Sequence, residues 1–265
     1  MQTGCVEEGA AVESGEDAEL PTEIERTVLH EVFTGSNCGP CLEADEIILE
    51  VLHDNPGRYV LLSHQIGSDP YISSEGVARR MYYLPGEGSY SIPYVHADGI
   101  NGFHPVELND DAGYTQADFD QFAGMPAALQ VEVSHTVTDQ TVDIEVSLLP
   151  LADNDSETLT LQLAIIEKET FLNVGSNGQT EFHNVMKKMV PDENGTSVGP
   201  LVRGETIELS ESWTFQGEYD DEAGYSSPVD HDSAHTVEEF EDLAVVAFVQ
   251  DDDTWEVLHS AWSGE

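Results

Sequence analysis

Two cysteines separated by two residues, Cys38-Gly39-Pro40-Cys41, stand where an apolar, β-branched run ends and a helical pattern begins. The run is Thr27-Val28-Leu29-His30-Glu31-Val32-Phe33, and the helical pattern extends from Leu42 to His53. No other stretch constrains the fold as much, because it sets a strand, a tight turn and a helix in one short segment. At such a junction a Cys-x-x-Cys pair reads first as redox chemistry. The helix N-terminus brings partial positive charge and free N–H groups to Cys38, and both favour its thiolate. Pro40 suits the first helical turn, where a missing N–H costs nothing. The two sulfurs can close a short disulfide, with Cys38 as the exposed attacking group and Cys41, one turn inward, as the resolving one. A structural disulfide is the competing reading. Half of a zinc site is disfavoured, because no second Cys-x-x-Cys or paired Cys/His cluster would complete four ligands.

The following segment continues the alternation of strand and helix. Arg58 to His64 reads as a buried strand after an Asn55-Pro56-Gly57 turn. Ser73 to Tyr83 reads as a helix capped by Ser73 or Ser74. Ser91-Ile92-Pro93-Tyr94-Val95 then places a proline at the start of a strand pattern. Strand, CxxC helix, strand, helix, Ile-Pro strand, hairpin and helix is the order of a thioredoxin-like domain. The resemblance rests on Cys38-Gly39-Pro40-Cys41 and on Ile92-Pro93. It implies that Pro93 is cis, lies against the disulfide and, with Ile92, helps hold an extended substrate strand. It likewise implies that Gly39 and Pro40 keep the turn tight at the substrate face. Two positions depart from the family: Asn37 stands where Trp is usual, and Val32 where a buried acid is usual. Glu31 is adjacent to Val32, but strand alternation sends it to the opposite face. The expectation is that Cys41 loses its proton with less help than in thioredoxin.

Charge bounds the partners. Among 265 residues there are 8 basic and 53 acidic, a formal net charge of −45. Only eight of those acids fall in Val6–Glu25, so the excess belongs to the body, in clusters such as Asp110-Asp111, Asp220-Asp221-Glu222 and Asp251-Asp252-Asp253. Such a surface repels nucleic acid and anionic headgroups. Salt screens its self-repulsion, which points to a saline source. Asp153-Asn154-Asp155-Ser156-Glu157 lacks the twelve-residue calcium loop with its central Gly and terminal Glu, and reads as a solvated hairpin loop. Cys5 follows Gly4 and precedes a polar tether that runs to residue 24. That arrangement resembles the lipidation point of a bacterial lipoprotein, with no charged n-region or apolar h-region before it in this sequence. No stretch approaches the roughly 18 apolar residues of a membrane span, so the expected membrane contact is a lipid on Cys5.

Beyond Gly124-Met125-Pro126 the pattern becomes period-two. Val131–Val137 and Val142–Leu148 alternate, and the runs Thr158–Ile166, Glu205–Phe215, Ala244–Gln250 and Glu256–Trp262 follow, separated by Asp/Asn/Gly turns. The expectation is an antiparallel β-sandwich of about seven strands. This half has no cysteine and no evident catalytic set. His183, with Lys187 and Lys188, either meets an anionic group on a partner or is a hydrogen-bonded histidine at a sheet edge. Asp230-His231 and Ala234-His235 share a Ser/Asp-rich loop in which nothing fixes a metal geometry.

Taken together, the halves resemble the twenty-eight-kilodalton outer-membrane protein family, bacterial envelope proteins, often lipoproteins, with a thioredoxin-like domain before an immunoglobulin-like sandwich. The matching stretches are Glu31 to Cys41, Phe182-His183-Asn184-Val185-Met186, and Val245 to Gln250 with Glu256-Val257-Leu258. The resulting expectation is an α/β thioredoxin-like domain over residues 25–125 and an all-β, Ig-like sandwich over 126–265, behind an acidic tether over 1–24. The expected activity is envelope thiol–disulfide exchange through Cys38 and Cys41, with protein thiols or disulfides and an envelope redox partner as the counterparts. Exchange needs no bound cofactor, and no metal site is expected. The alternatives are a non-enzymatic surface or binding protein in which Cys38–Cys41 is a static staple, and an acidic ion-binding module.

Overall fold

The β-branched run and the CxxC pattern become β1 (Val28–Thr34) and α1 (Gly39–His53). The first half continues with β2 (Tyr59–Gln65), α2 (Ser74–Tyr82), β3 (Tyr94–Ala97), β4 (Asn101–Phe103) and α3 (Gln116–Ala123). The computed structural model describes residues 20–84, 86, 90–106, 113–220 and 227–264. Cys5, Asp110-Asp111 and Asp221-Glu222 lie outside the described residues, as does most of the expected tether. β1 and β2 run parallel, with Val28 opposite Tyr59, while β3 returns antiparallel to β1 and β4 antiparallel to β3. Both later helices begin on side-chain caps. Ser73 Oγ accepts from Gly76 N at 3.0 Å. Thr115 and Asp118 form a reciprocal capping box, a pairing that satisfies otherwise orphaned amides.

The second half supplies β5 (Leu129–Thr138), β6 (Thr141–Pro150), β7 (Leu159–Thr170), β8 (Phe182–Val190), β9 (Thr196–Ser197), β10 (Ile207–Thr214), β11 (Glu218–Tyr219), β12 (Ala234–His235), β13 (Leu243–Asp251) and β14 (Val257–Trp262). The chain is thus mostly β, with three short α-helices among the described residues. β10, β6 and β5 make a three-stranded antiparallel sheet. Its inward residues, Val131, Val142, Ile144, Val146 and Leu148, share one apolar core with Leu161, Leu163 and Ile165 of β7 and with Val245, Ala247 and Val249 of β13.

The pattern changes at Gly124-Met125-Pro126, yet the main sheet does not stop there. One mixed sheet runs in the order β14-β13-β7-β8-β2-β1-β3-β4, with β9 added to β7. Its seam is the parallel pairing of β8 with β2, Val185 opposite Ser63. β8 therefore lies inside the sheet, which corrects the expectation that His183 sits at an edge. The physical reason is that the free side of β2 would otherwise expose a row of unpaired backbone groups. Polar contacts lock the seam. Lys188 Nζ meets Glu75 Oε1 at 2.6 Å. Lys187 Nζ meets Glu167 Oε2 at 3.0 Å and lies 3.8 Å from the Tyr71 ring centroid. Both lysines are buried, so neither is free to meet an anionic partner.

Candidate functional site

Cys38 is the N-cap residue of α1, with extended backbone, and Pro40 occupies the first helical turn. Cys38 N donates to Gly35 O at 3.0 Å, and Cys41 N donates to Cys38 O at 3.2 Å. These bonds fold the segment so that the two sulfurs join, with the Cα atoms 5.3 Å apart. Cys38 is half-buried, Gly39 and Pro40 are exposed, and Cys41 is fully enclosed. That asymmetry follows from the helix: Cys41, Ala44, Ile48 and Leu52 form its inward stripe, spaced three and four residues apart.

The Ile92–Pro93 peptide is cis. A Cβ placed on Gly35 would lie 3.5 Å from Ile92 Cδ1, and one on Gly67 would lie 3.3 Å from it. Ile92 therefore packs over the loop that leads into the cysteines, which brings Pro93 to the same end of the sheet. Pro93 itself is buried, and its carbonyl lies 2.8 Å from His104 Nδ1.

Both departures at Asn37 and Val32 have structural consequences. Asn37 acts as a clamp: its Nδ2 donates to Ser68 O at 2.6 Å, and its Oδ1 accepts from Ser176 N at 2.9 Å. Asn177 N also donates to Ser36 O at 2.9 Å. A loop of the second half, between β7 and β8, thus lies directly on the residues preceding Cys38. Close approach there requires glycine, since a Cβ on Gly175 would sit 2.5 Å from the Ser36 carbonyl carbon. Asp69 supports the loop from below, accepting from Ser36 N and Tyr71 N, each at 2.7 Å.

Val32 points into the core beneath α1 and leaves its position without an acid. A carboxyl nevertheless comes to this region from the helix. Asp45, one turn beyond Cys41, accepts from Thr34 Oγ1 at 3.3 Å and from Gln179 Nε2 at 3.1 Å. Burial pushes Asp45 up to about 7, with the nearby Asp69 charge adding to the shift and the two hydrogen bonds opposing it. It borders a cavity of about 20 Å³ that Val32, Gln65, Gln179 and His183 also line, a space that fits one water. Residues four apart on a helix have Cβ atoms about 6 Å apart, so the Cys41-x-x-x-Asp45 spacing was the signal in the sequence for this carboxyl. Gln179 carried no such signal, being 134 residues from its partner.

Glu31 lies on the opposite face, as alternation requires, in a closed polar network. Arg79 contacts both of its oxygens, Nη2 at 2.7 Å and Nε at 3.1 Å, while Tyr83 donates at 2.5 Å and His64 Nε2 lies at 3.1 Å. Burial alone would raise Glu31, but Arg79 and His64 overcome it and hold the carboxyl far below the usual range. Glu31 is therefore committed to this network. His183 is half-buried, with Nε2 3.7 Å from Glu181 Oε1. Glu169, Glu181 and His183 place ligand atoms within 4.8 Å of one another, the two acids being exposed. His231 approaches Glu75 at 3.5 Å, and His235 is buried in β12.

No family model and no curated protein matches the sequence. Among solved structures, HBP35 of Porphyromonas gingivalis superposes with a TM-score of 0.62 at 14% identity, covering 90% of this chain and 75% of that one. The protein AGR_C_4864 from Agrobacterium tumefaciens gives 0.54 at 14% identity, covering 91% and 95%. A domain of the outer membrane lipoprotein Omp28 from Porphyromonas gingivalis aligns over 52% of this chain at 18% identity, with a TM-score of 0.33, too low to carry a shared fold. The first two share this chain's fold along nine-tenths of its length, and at 14% identity the likeness is one of fold alone.

Proposed function

We propose that the protein is an envelope thiol–disulfide oxidoreductase of the thioredoxin-like kind, acting through Cys38 and Cys41. One observation carries this reading: a disulfide at a helix N-terminus, half-buried at Cys38 and enclosed at Cys41, with a cis proline at the same end of the sheet. In the reducing direction the Cys38 thiolate attacks a substrate disulfide, forming a mixed disulfide and releasing one substrate thiolate. The Cys41 thiolate then attacks the Cys38 sulfur, closing Cys38–Cys41 and releasing the second. Two electrons pass from the protein dithiol to the substrate, and the reverse sequence oxidises a substrate dithiol. Asp45 is the carboxyl that holds the exchanged proton near Cys41, because a group half-ionised near neutrality can both give and take one. Gly39, Pro40, Ile92 and Pro93 frame the substrate face. The second half is read as an Ig-like sandwich over 126–265 whose β7–β8 loop braces the exchange site. Envelope location is read from the resemblance of the Gly4-Cys5 stretch to a lipidation point.

A second reading, a surface or binding protein with a static disulfide, draws on the clamping of Asn37 and Ser36 from both sides, which stiffens the loop before Cys38. The reduction potential of Cys38–Cys41, measured by thiol trapping across a redox buffer series, separates the two. A value between roughly −120 and −270 mV with fast exchange is expected for an oxidoreductase. A value below about −300 mV with slow exchange would sink it in favour of the static disulfide.

A further inference from the structure

The β7–β8 loop carries a feature that the exchange chemistry leaves unexplained. Among the described residues, six large apolar side chains are markedly exposed, and three of them fall within four positions: Phe171 at 48%, Leu172 at 63% and Val174 at 45%. On a chain of net charge −45 such a cluster is not a by-product of a generally apolar surface. Nor is it a loose tip. Glu238 accepts from Phe171 N at 2.9 Å and from Leu172 N at 2.8 Å. Between them and Val174, Asn173 is fully buried and its Oδ1 accepts from Thr170 Oγ1 at 2.9 Å. Immediately beyond Val174, Gly175 lies against Ser36, and Ser176 and Asn177 bond to Asn37 and Ser36. The backbone bearing the three apolar side chains is thus held in place, on a knuckle whose next residue touches the segment leading into Cys38.

We infer that this knuckle docks the substrate polypeptide, and that the substrate class is an extended, apolar segment with basic flanking residues that carries the reacting cysteine. The inference rests on the exchange reading above and adds to it what is exchanged. Its occupant follows from continuity with Cys38: in any mixed disulfide the partner chain is held to a sulfur directly next in sequence to Ser36 and Asn37, on which the loop lies. The charge preference follows from the surroundings. The loop itself, residues 171–181, contains no lysine or arginine; the flanking Lys168 is paired with Asp242, Lys187 and Lys188 are buried in ion pairs, and Glu169 and Glu181 stand exposed at the loop's base. Apolar anchors framed by carboxylates select a partner that is apolar at its centre and cationic at its rim. An apolar contact also persists in high salt, where charge contacts are screened.

The test compares the wild type with the triple variant Phe171→Ser, Leu172→Ser, Val174→Ser, whose altered side chains are solvent-exposed. Both proteins, reduced with dithiothreitol and freed of it, are offered three disulfides: a Lys-flanked Leu/Phe peptide, the same peptide with Ser in place of its apolar residues, and glutathione disulfide. The expected result is that the variant loses about tenfold in kcat/KM on the apolar peptide alone. It should match the wild type on glutathione disulfide. Equal rates on the apolar peptide, or an equal fall on all three substrates, would overturn the docking inference. If the wild type reacts with none of them, the exchange reading fails. The docking inference is then decided by fluorescence anisotropy of the labelled apolar peptide on the oxidised proteins: tighter binding to wild type upholds it, and equal binding overturns it.

Discussion

Adjacent residues of β1, Glu31 and Val32, look to opposite faces of the main sheet. Val32 faces α1 and α3, where Ile48, Leu52, Leu61, Val95 and Phe119 form a core held by apolar contact. Glu31 faces α2 and the second half, where Arg79, Tyr83, His64 and Gln250 close a network of ion pairs and hydrogen bonds. Gln250 belongs to β13, more than 200 residues away, so the Glu31 face joins the two halves. The Val32 face seats the helix that presents the cysteines and meets the second half at the small cavity bordered by Gln179 and His183. The contrast teaches that the CxxC helix rests on a non-directional base, while the union of the halves adds a directional network to apolar packing of Leu29, Val60 and Leu62 against Ala164, Ile166 and Val246. Apolar packing tolerates small shifts, whereas a buried ion pair works only with its geometry complete.

Breaking each face separately sharpens this. The largest effect is expected from Glu31→Gln, which leaves the Arg79 guanidinium buried without its counter-charge. A loss of about 3–5 kcal/mol in urea unfolding is expected, with both halves affected together. A two-step transition, in which the second half survives, would break the proposed joining role. Ile48→Ala on the other face is expected to cost about 2–5 kcal/mol through the cavity it leaves. Urea unfolding at pH 5 checks it, where the Asp45 carboxyl on the same cavity is protonated, and a cost below about 1 kcal/mol would break the apolar-base account.

The smallest effect is expected from Asp45→Asn. The folded protein holds Asp45 at about 7, above its ordinary 3.8. Between those two values the folded state binds more protons than the unfolded one, so stability falls as pH rises through that window. Asparagine removes this dependence. Relative to wild type the variant should therefore gain in melting temperature from pH 5 to pH 8. A difference independent of pH would show that Asp45 ionises normally.

The strand–CxxC–helix unit was legible from Val28 to His53 because each of its signals is local. The β-branched run, Pro40 in the first turn and the three-and-four spacing of Cys41, Ala44, Ile48 and Leu52 all act within a few residues. The serine cap, at Ser73 or Ser74, and the Ile92-Pro93 strand entry were legible for the same reason, and the structure settles the cap on Ser73. Asp45 was within reach of the same reasoning, four residues from Cys41. Asn37 was readable as a departure, but not as a clamp, because its partners Ser68 and Ser176 lie far along the chain.

The sequence by itself determined the strand–CxxC–helix unit and the longer strands apart from β8, where the paired cysteines sit and that the surface is strongly acidic. These follow from periodicity, turn chemistry and composition, which are properties of neighbouring residues. Only the tertiary structure decided that β8 pairs with β2 to carry one sheet across both halves. It also decided that Gln179 reaches Asp45, and that the β7–β8 loop lies on Ser36 and Asn37. Each of these depends on which distant backbone edges and side chains meet. No local pattern specifies that choice, which is settled when the whole chain pairs its edges and buries its charges together.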